Sequence, residues 1–202
     1  MLKIKVCGMK VPENINQLSK LNIDFMGFIF YKKSKRYTEN IPVKIPDTIK
    51  KVGVFVNEDI NTIKKIASKN KLDYIQLHGN ETVEYCKKLS SDKYKIIKAF
   101  SIDENFDFKQ TCKYQIYCDF FIFDTKGKLY GGNGVKFNWK LLENYKSENK
   151  FLLSGGISLN DIEEVKRFKH PKYMGVDVNS GFEIEPGLKN ISEISEFIKL
   201  YK

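Results

Sequence analysis

Four short apolar runs of this 202-residue chain lead into residues that can move protons. KIKVCG ends at Cys7, DYIQLHG at His78, DFFIFDTK carries Asp124 and YMGVDVNSG carries Asp177, with Lys5 two residues before the thiol. Alternation along a strand puts Lys5 with Cys7, Gln76 with His78, Ile122 with Asp124, and Gly175 with Asp177 on one face each. If those faces line a common mouth, a thiol, an imidazole, two carboxylates and an ammonium meet there, which is a set suited to acid/base chemistry. Taken singly, each is equally a core polar group that needs a hydrogen-bond partner.

Glycine supplies a second signal. SGG (Ser154 to Gly156) and NSG (Asn179 to Gly181) close two consecutive runs, and glycine lets backbone N–H groups approach an anion closely. Gly155, Gly156, Ser180 and Gly181 are therefore candidates for a phosphate site. A third cluster, GGNG from Gly131 to Gly134, reads as a loop folding over ligand through Gly132 and Gly134, or as a plain connection. The chain has 35 basic residues, of which only Arg36 and Arg167 are arginine, so each arginine invites a geometric explanation.

The elements that position these groups follow from periodicity. Runs rich in Val, Ile, Phe and Tyr begin near Lys3, Phe25, Val52, Asp73, Lys95, Asp119, Phe151 and Tyr173 and read as buried strands. Amphipathic helical patterns lie between several of them (INQLSKL, INTIKKIASKNK, TVEYCKKL, WKLLENY, LNDIEEVKRF), and ISEISEFIKLYK closes the chain. Strand starts spaced 22, 27, 21, 22, 24, 32 and 22 residues apart leave room for one βα unit each. Eight such units predict a minimal (β/α)8 TIM barrel over residues 1–202, a single α/β domain, because eight parallel strands close where five or six stay open. Pro42 and Pro46 interrupt the second helix, which is expected to be short or absent. In such a barrel, phosphate is commonly held after strands seven and eight, where the two glycine turns fall.

Composition narrows the class. No run approaches the length of a membrane span, and MLKIKVCGMK has charges where a signal peptide is apolar, so a cytoplasmic protein is expected. Cys7, Cys86, Cys112 and Cys118 show neither CxxC pairing nor dense spacing, so reduced thiols are expected and no metal site. The net charge of +10 is spread along the whole chain as lysine rather than gathered in a stripe, which argues against nucleic-acid binding.

KVCGMK, GFIFYKKSKRY, VGVFVN, QLHGNE, FDTKGKLYGGNGVKFNW, LLSGGIS and DVNSGFEIEPGLK, in that order from Lys3 to Lys189, together resemble phosphoribosylanthranilate isomerase of tryptophan biosynthesis. The resemblance implies a barrel without metal or cofactor that catalyses an Amadori rearrangement of N-(5-phosphoribosyl)anthranilate, a phosphorylated sugar–anthranilate, to the 1-deoxyribulose product. It implies Cys7 as general base, Asp124 as general acid, Arg36 against the anthranilate carboxylate, and the glycine turns on phosphate. Lys5, His78 and Asp177 are expected to support them. Lys10 and Lys32 depart from the family, which commonly has Thr and Pro there, and put the loop before Arg36 in doubt more than Cys7.

The chemistry asks for a carboxylic acid whose pKa is raised by burial, at Asp124, and a thiolate whose pKa is lowered by positive charge, for which Lys5 is the candidate source. Two other readings remain: the related phosphosugar isomerase of histidine biosynthesis, which typically carries aspartate at the first strand end, and a barrel that binds a phosphorylated ligand without catalysis.

Overall fold

A computed structural model describes residues 2–126 and 137–202. Eight parallel strands close into a barrel in chain order: β1 (Lys3–Val6), β2 (Phe25–Ile29), β3 (Lys50–Phe55), β4 (Tyr74–Leu77), β5 (Ile96–Ile102), β6 (Phe120–Thr125), β7 (Phe151–Leu153) and β8 (Tyr173–Val178). Each begins within two residues of the start expected from sequence. Closure pairs β8 with β1 in a register that sets Lys5 beside Asp177.

The regular alternation of eight strands with eight helices needs correction. Among the described residues five α-helices form: α1 (Pro12–Leu18), α2 (Ile60–Asn70), α3 (Val83–Ser91), α4 (Ile162–Arg167) and α5 (Ile191–Tyr201). Between β2 and β3 no helix forms, as Pro42 and Pro46 foretold, and that connection instead buries Ile45 and Ile49 against the barrel. WKLLENY, expected as a helix, is a 3-10 segment over Trp139–Asn144, and a 3-10 segment over Phe108–Tyr114 follows β5. LNDIEEVKRF begins as 3-10 at Leu159–Asp161 and becomes α only at Ile162. Length does not decide between the two forms, since α1 and α4 are as short as these segments; 3-10 turns are frequent as connectors and at helix ends, which is where these lie. The longer helices carry caps: Asp59 accepts from the N–H groups of Asn61 and Thr62, and Thr82 from that of Tyr85. None of the described helices is long and apolar enough to cross a membrane.

Strand alternation divides the core in two. Ile4, Val6, Ile75, Leu77, Phe121, Phe123, Val176 and Val178 face outward into the layer beneath the helices. Phe25, Val52, Ile97, Ala99, Phe120, Ile122 and Leu152 form a separate cluster, with Tyr74 and Met174 packed against it. These are the inward positions, and they fill the amino-terminal half of the barrel as a layered plug. Its base is a triangle of rings, Phe25, Tyr74 and Phe120, with centroids 5.5 to 5.7 Å apart.

Each ring follows an aspartate that ties its strand to the preceding one. Asp24 accepts the Ile4 N–H at 2.9 Å, Asp73 that of Lys51 at 2.8 Å and Asp119 that of Ile96 at 2.8 Å. The first N–H of a strand rim is thereby satisfied by a neighbouring carboxylate rather than left to solvent. Past β8 the chain forms a small hairpin, β9 (Glu183–Glu185) with β10 (Leu188–Lys189), and then α5.

Candidate active site

The inward positions change character at the carboxyl ends of the strands. Cys7, Gln76, His78, Asp124 and Asp177 continue the inward faces and line one pocket with Arg36, Ser154 and the glycine turns. The convergence expected from strand parity is what the barrel produces for Cys7, His78, Asp124 and Asp177, but Lys5, expected at the same mouth, does not line it. Lys5 lies below the pocket, fully buried, with its ammonium 2.9 Å from Asp177 Oδ1. Gly132 and Gly134 lie outside the described residues.

Cys7 sits where β1 leaves the barrel, its N–H donated to the Val178 carbonyl at 2.9 Å. The neighbouring strand makes room for its sulfur: a Cβ on Gly27 would lie 2.7 Å from Cys7 Sγ. Lys5 pulls the thiol's pKa down as expected, but the expectation of a thiol lowered overall is corrected here. Burial pushes the Cys7 thiol above its ordinary value, and although Lys5 and Lys189 pull it down, Asp177 pushes it up again. The Lys5 charge is shared with that carboxylate, so the resting group is a thiol. Burial likewise raises the Asp177 carboxyl, against the pull of Lys5. Burial opposes the charge on Lys5, but Asp177 and Cys7 together hold its pKa above the usual lysine value.

Asp124 Oδ1 accepts the Thr125 N–H at 2.9 Å, and Oδ2 lies 3.3 Å from His78 Nε2, in line for charge but not for a hydrogen bond. His78 Nδ1 is 3.3 Å from Gln76 Nε2, a contact that leaves Gln76 Oε1 buried without a hydrogen-bond partner among the described residues. Below this corner, Lys98 donates to the carbonyls of Leu77 (3.3 Å) and Gly79 (2.8 Å), on either side of His78, and to Glu81 Oε2 at 3.1 Å.

The glycine turns are built for close approach. Gly155 and Gly156 have φ of +93° and +66°, which side chains other than glycine rarely adopt, and a Cβ on Gly181 would meet the Ile157 carbonyl at 2.1 Å. Arg36 lines the same pocket. Its Nε donates to Glu183 Oε1 (2.8 Å) and Oε2 (3.0 Å), and its Nη2 to Oε2 (2.6 Å). One edge of the guanidinium is thus held by the protein, and the edge bearing Nη1 is not part of that fork. Lys189 Nζ donates to the same carboxylate at 2.6 Å and to Asn179 Oδ1 at 2.7 Å. Arg36, Lys189 and their hydrogen bonds hold Glu183 below the usual carboxylate range although burial works the other way. Lys32 lies exposed in the turn before Arg36, and the Lys10 stem lies against Gly187 of the hairpin, where a Cβ would meet it at 3.2 Å.

Reading the sequence missed Gly27, Glu183, Lys189 and the pocket face of Gln76. The parity argument contained Gln76, since it shares the His78 face. Gly27 stood in a strand without purpose, and Glu183 and Lys189 stood inside the last family-like run with no spacing to mark them.

Comparison with known proteins accords with this geometry. The family model described as N-(5'-phosphoribosyl)anthranilate (PRA) isomerase matches residues 4–200. An N-(5'-phosphoribosyl)anthranilate isomerase of Parabacteroides distasonis is 48% identical over 202 residues, covering 97% of this chain and 91% of that protein. One from Phocaeicola vulgatus is 43% identical, covering 98% and 97%. A crystal structure of a phosphoribosyl anthranilate isomerase in complex with reduced 1-(o-carboxyphenylamino)-1-deoxyribulose 5-phosphate superposes with a TM-score of 0.82 at 31% identity, covering 100% of this chain and 98% of that one. A match that runs almost end to end, on a barrel of this closure, places the chain in the N-(5'-phosphoribosyl)anthranilate isomerase family.

Proposed function

We propose that this protein converts N-(5'-phosphoribosyl)anthranilate into 1-(2-carboxyphenylamino)-1-deoxyribulose 5-phosphate in tryptophan biosynthesis, in the cytoplasm, with Cys7 and Asp124 as its base and acid. The observation that carries the assignment of roles is that both groups line one pocket together with an arginine and two glycine turns. That the related crystal structure holds a reduced product supports the choice of substrate.

Asp124 gives a proton to the ring oxygen, the C1–O bond breaks, and the nitrogen lone pair forms a C1 iminium. The iminium acidifies the C2 proton, which the Cys7 thiolate removes to leave an enaminol. Return of a proton to C1 and loss of the enol proton give the ketone, so the sum is an isomerisation with no net gain of atoms or electrons. The thiol must ionise first, and Lys5 and Lys189 are the charges that favour the ionised form. Phosphate lies against Gly155, Gly156, Ser180 and Gly181, and the anthranilate carboxylate on the outward edge of Arg36. Asp177 holds the Lys5 ammonium in place, and His78 stands beside the acid.

The test is a fluorescence assay following the loss of phosphoribosylanthranilate, with complementation of a tryptophan auxotroph beside it. Purified protein that leaves the substrate unchanged, together with failure to complement, would refute the proposal.

A further inference from the structure

Two charged groups stand next to the pocket: Glu183 takes no part in the steps above, and Lys189 enters them only as one of the charges that favour the Cys7 thiolate. The Lys189 side chain is fully buried and that of Glu183 is 5% exposed. Burying an ion pair costs several kcal/mol of desolvation for each ion, so an apolar pair would close this hairpin as well or better. The geometry says what the charges do instead. Glu183 Oε1 gathers Arg36 Nε (2.8 Å), Lys189 Nζ (2.6 Å) and the Gly187 N–H (3.0 Å), while Oε2 takes Arg36 Nη2 (2.6 Å). Lys189 in turn donates to the side chain (2.7 Å) and the carbonyl (3.3 Å) of Asn179, the residue that opens the Ser180–Gly181 turn. A Cβ on Gly8 would meet both Arg36 Cδ at 2.7 Å and Asn179 Oδ1 at 2.8 Å, so the arginine stem runs tightly between these groups. Arg36 itself rises from an exposed turn, where a long side chain has many rotamers.

We propose that Glu183 and Lys189 are positioning residues for substrate recognition: Lys189 fixes Glu183, Glu183 grips one edge of the Arg36 guanidinium, and the other edge is thereby aimed at the anthranilate carboxylate. The inference rests on the proposed function and deepens it, because it says why the carboxylate is read by a fork at a set angle to the phosphate turns. Neither residue touches substrate. A preorganised fork loses less entropy on binding than a free one, so its benefit falls on affinity for carboxylate-bearing ligands.

The experiment compares wild type with Glu183→Gln and Lys189→Met. Turnover of phosphoribosylanthranilate is measured along with the dissociation constants of two ligands: the reduced product, and the same molecule without its carboxylate. Glu183→Gln keeps shape and should raise KM roughly tenfold with kcat within about threefold. It should also erase most of the wild-type preference for the carboxylate-bearing ligand. In an Arg36→Lys background the same change should add little, since the two act through one group. Equal weakening of both ligands, or additive effects with Arg36→Lys, would make the pair structural and overturn the assignment. So would loss of cooperative melting in both single variants, Lys189→Met serving as the second reading if only Glu183→Gln fails to fold. Absence of turnover in wild type would strike the proposed function itself, whereas normal turnover with an unchanged ligand preference would strike the positioning role alone.

Discussion

Gly27 contributes nothing to chemistry, yet its missing side chain is the space the Cys7 sulfur occupies. Gly27→Ala should therefore displace the thiol and lower kcat by about tenfold or more, while the thermal melt stays cooperative; an unchanged kcat would show that the sulfur has room elsewhere. Cys7→Ala removes the base, and the loss should reach at least ~10²-fold in kcat with KM little changed. The pH dependence follows from burial. Because the Cys7 thiol is pushed up, the thiolate fraction, read as the rate at which an alkylating agent modifies Cys7, should climb as pH rises through neutrality, and a rate already at its plateau at neutral pH would contradict the raised value. Burial pulls Lys189 down to about 8, against Glu183 and Cys7, which favour its charge, and with Arg36, which disfavours it. Above about 8 Lys189 loses its proton, so support for Glu183 weakens and KM should begin to rise even as more thiolate forms. A KM that stays flat through this range would separate the lysine from substrate binding.

Asp24 shows how a strand rim is secured. Its carboxylate takes the Lys3 ammonium at 2.7 Å, the Ile4 N–H at 2.9 Å and the Lys202 ammonium at 3.2 Å, joining β1, β2 and the end of α5. Burial favours the neutral acid, but these donors prevail and hold the carboxyl below the usual aspartate value. A depressed folded pKa gives stability that is present above the ordinary aspartate range and is lost as pH falls through the lower folded value. Asp24→Asn should cost about 1 kcal/mol at neutral pH, a fall of roughly 2–4 °C in Tm, and should flatten the acid limb of stability against pH. An acid limb unchanged in the variant would exclude Asp24 as its source. The strands were legible because each is a short run rich in β-branched and aromatic residues bounded by turn residues, even where, as in β1, lysine alternates with the apolar positions. The segments after β5 and β6 were less so, since a few amphipathic residues fit a 3-10 turn as well as an α-helix. Cys7 and Asp124 announced themselves by ending strands, whereas Glu183 reaches Arg36 across 147 residues, a contact that local pattern cannot encode.

Considered as a whole, the molecule keeps packing and chemistry at opposite ends of the barrel. Phe120 opens β6 at the plug, and Asp124 lies four residues on, roughly 13 Å along the strand. Phe120→Ala should thus destabilise by about 3–5 kcal/mol, as large buried rings do, yet leave KM near wild type at a temperature where the protein remains folded. A raised KM in that folded variant would mean that the two ends are coupled.

The three aspartate ties join β1 to β2, β3 to β4 and β5 to β6, while β7 and β8, whose register shifts between Phe151 and Leu152, have no such carboxylate. The backbone ladder joins every neighbouring pair of strands, β2 to β3 included, so the carboxylate ties are an added stitch within three strand pairs, called modules here, and a cut between modules spares every stitch. Lys3 and Lys202 already share Asp24, so a short linker can join the ends of the chain and new ends can be opened elsewhere. A permutant opened between β2 and β3, in the helix-free connection near residue 40, leaves every module whole and should melt close to the parent. One opened near residue 20, between β1 and β2, divides a module and should melt well below it.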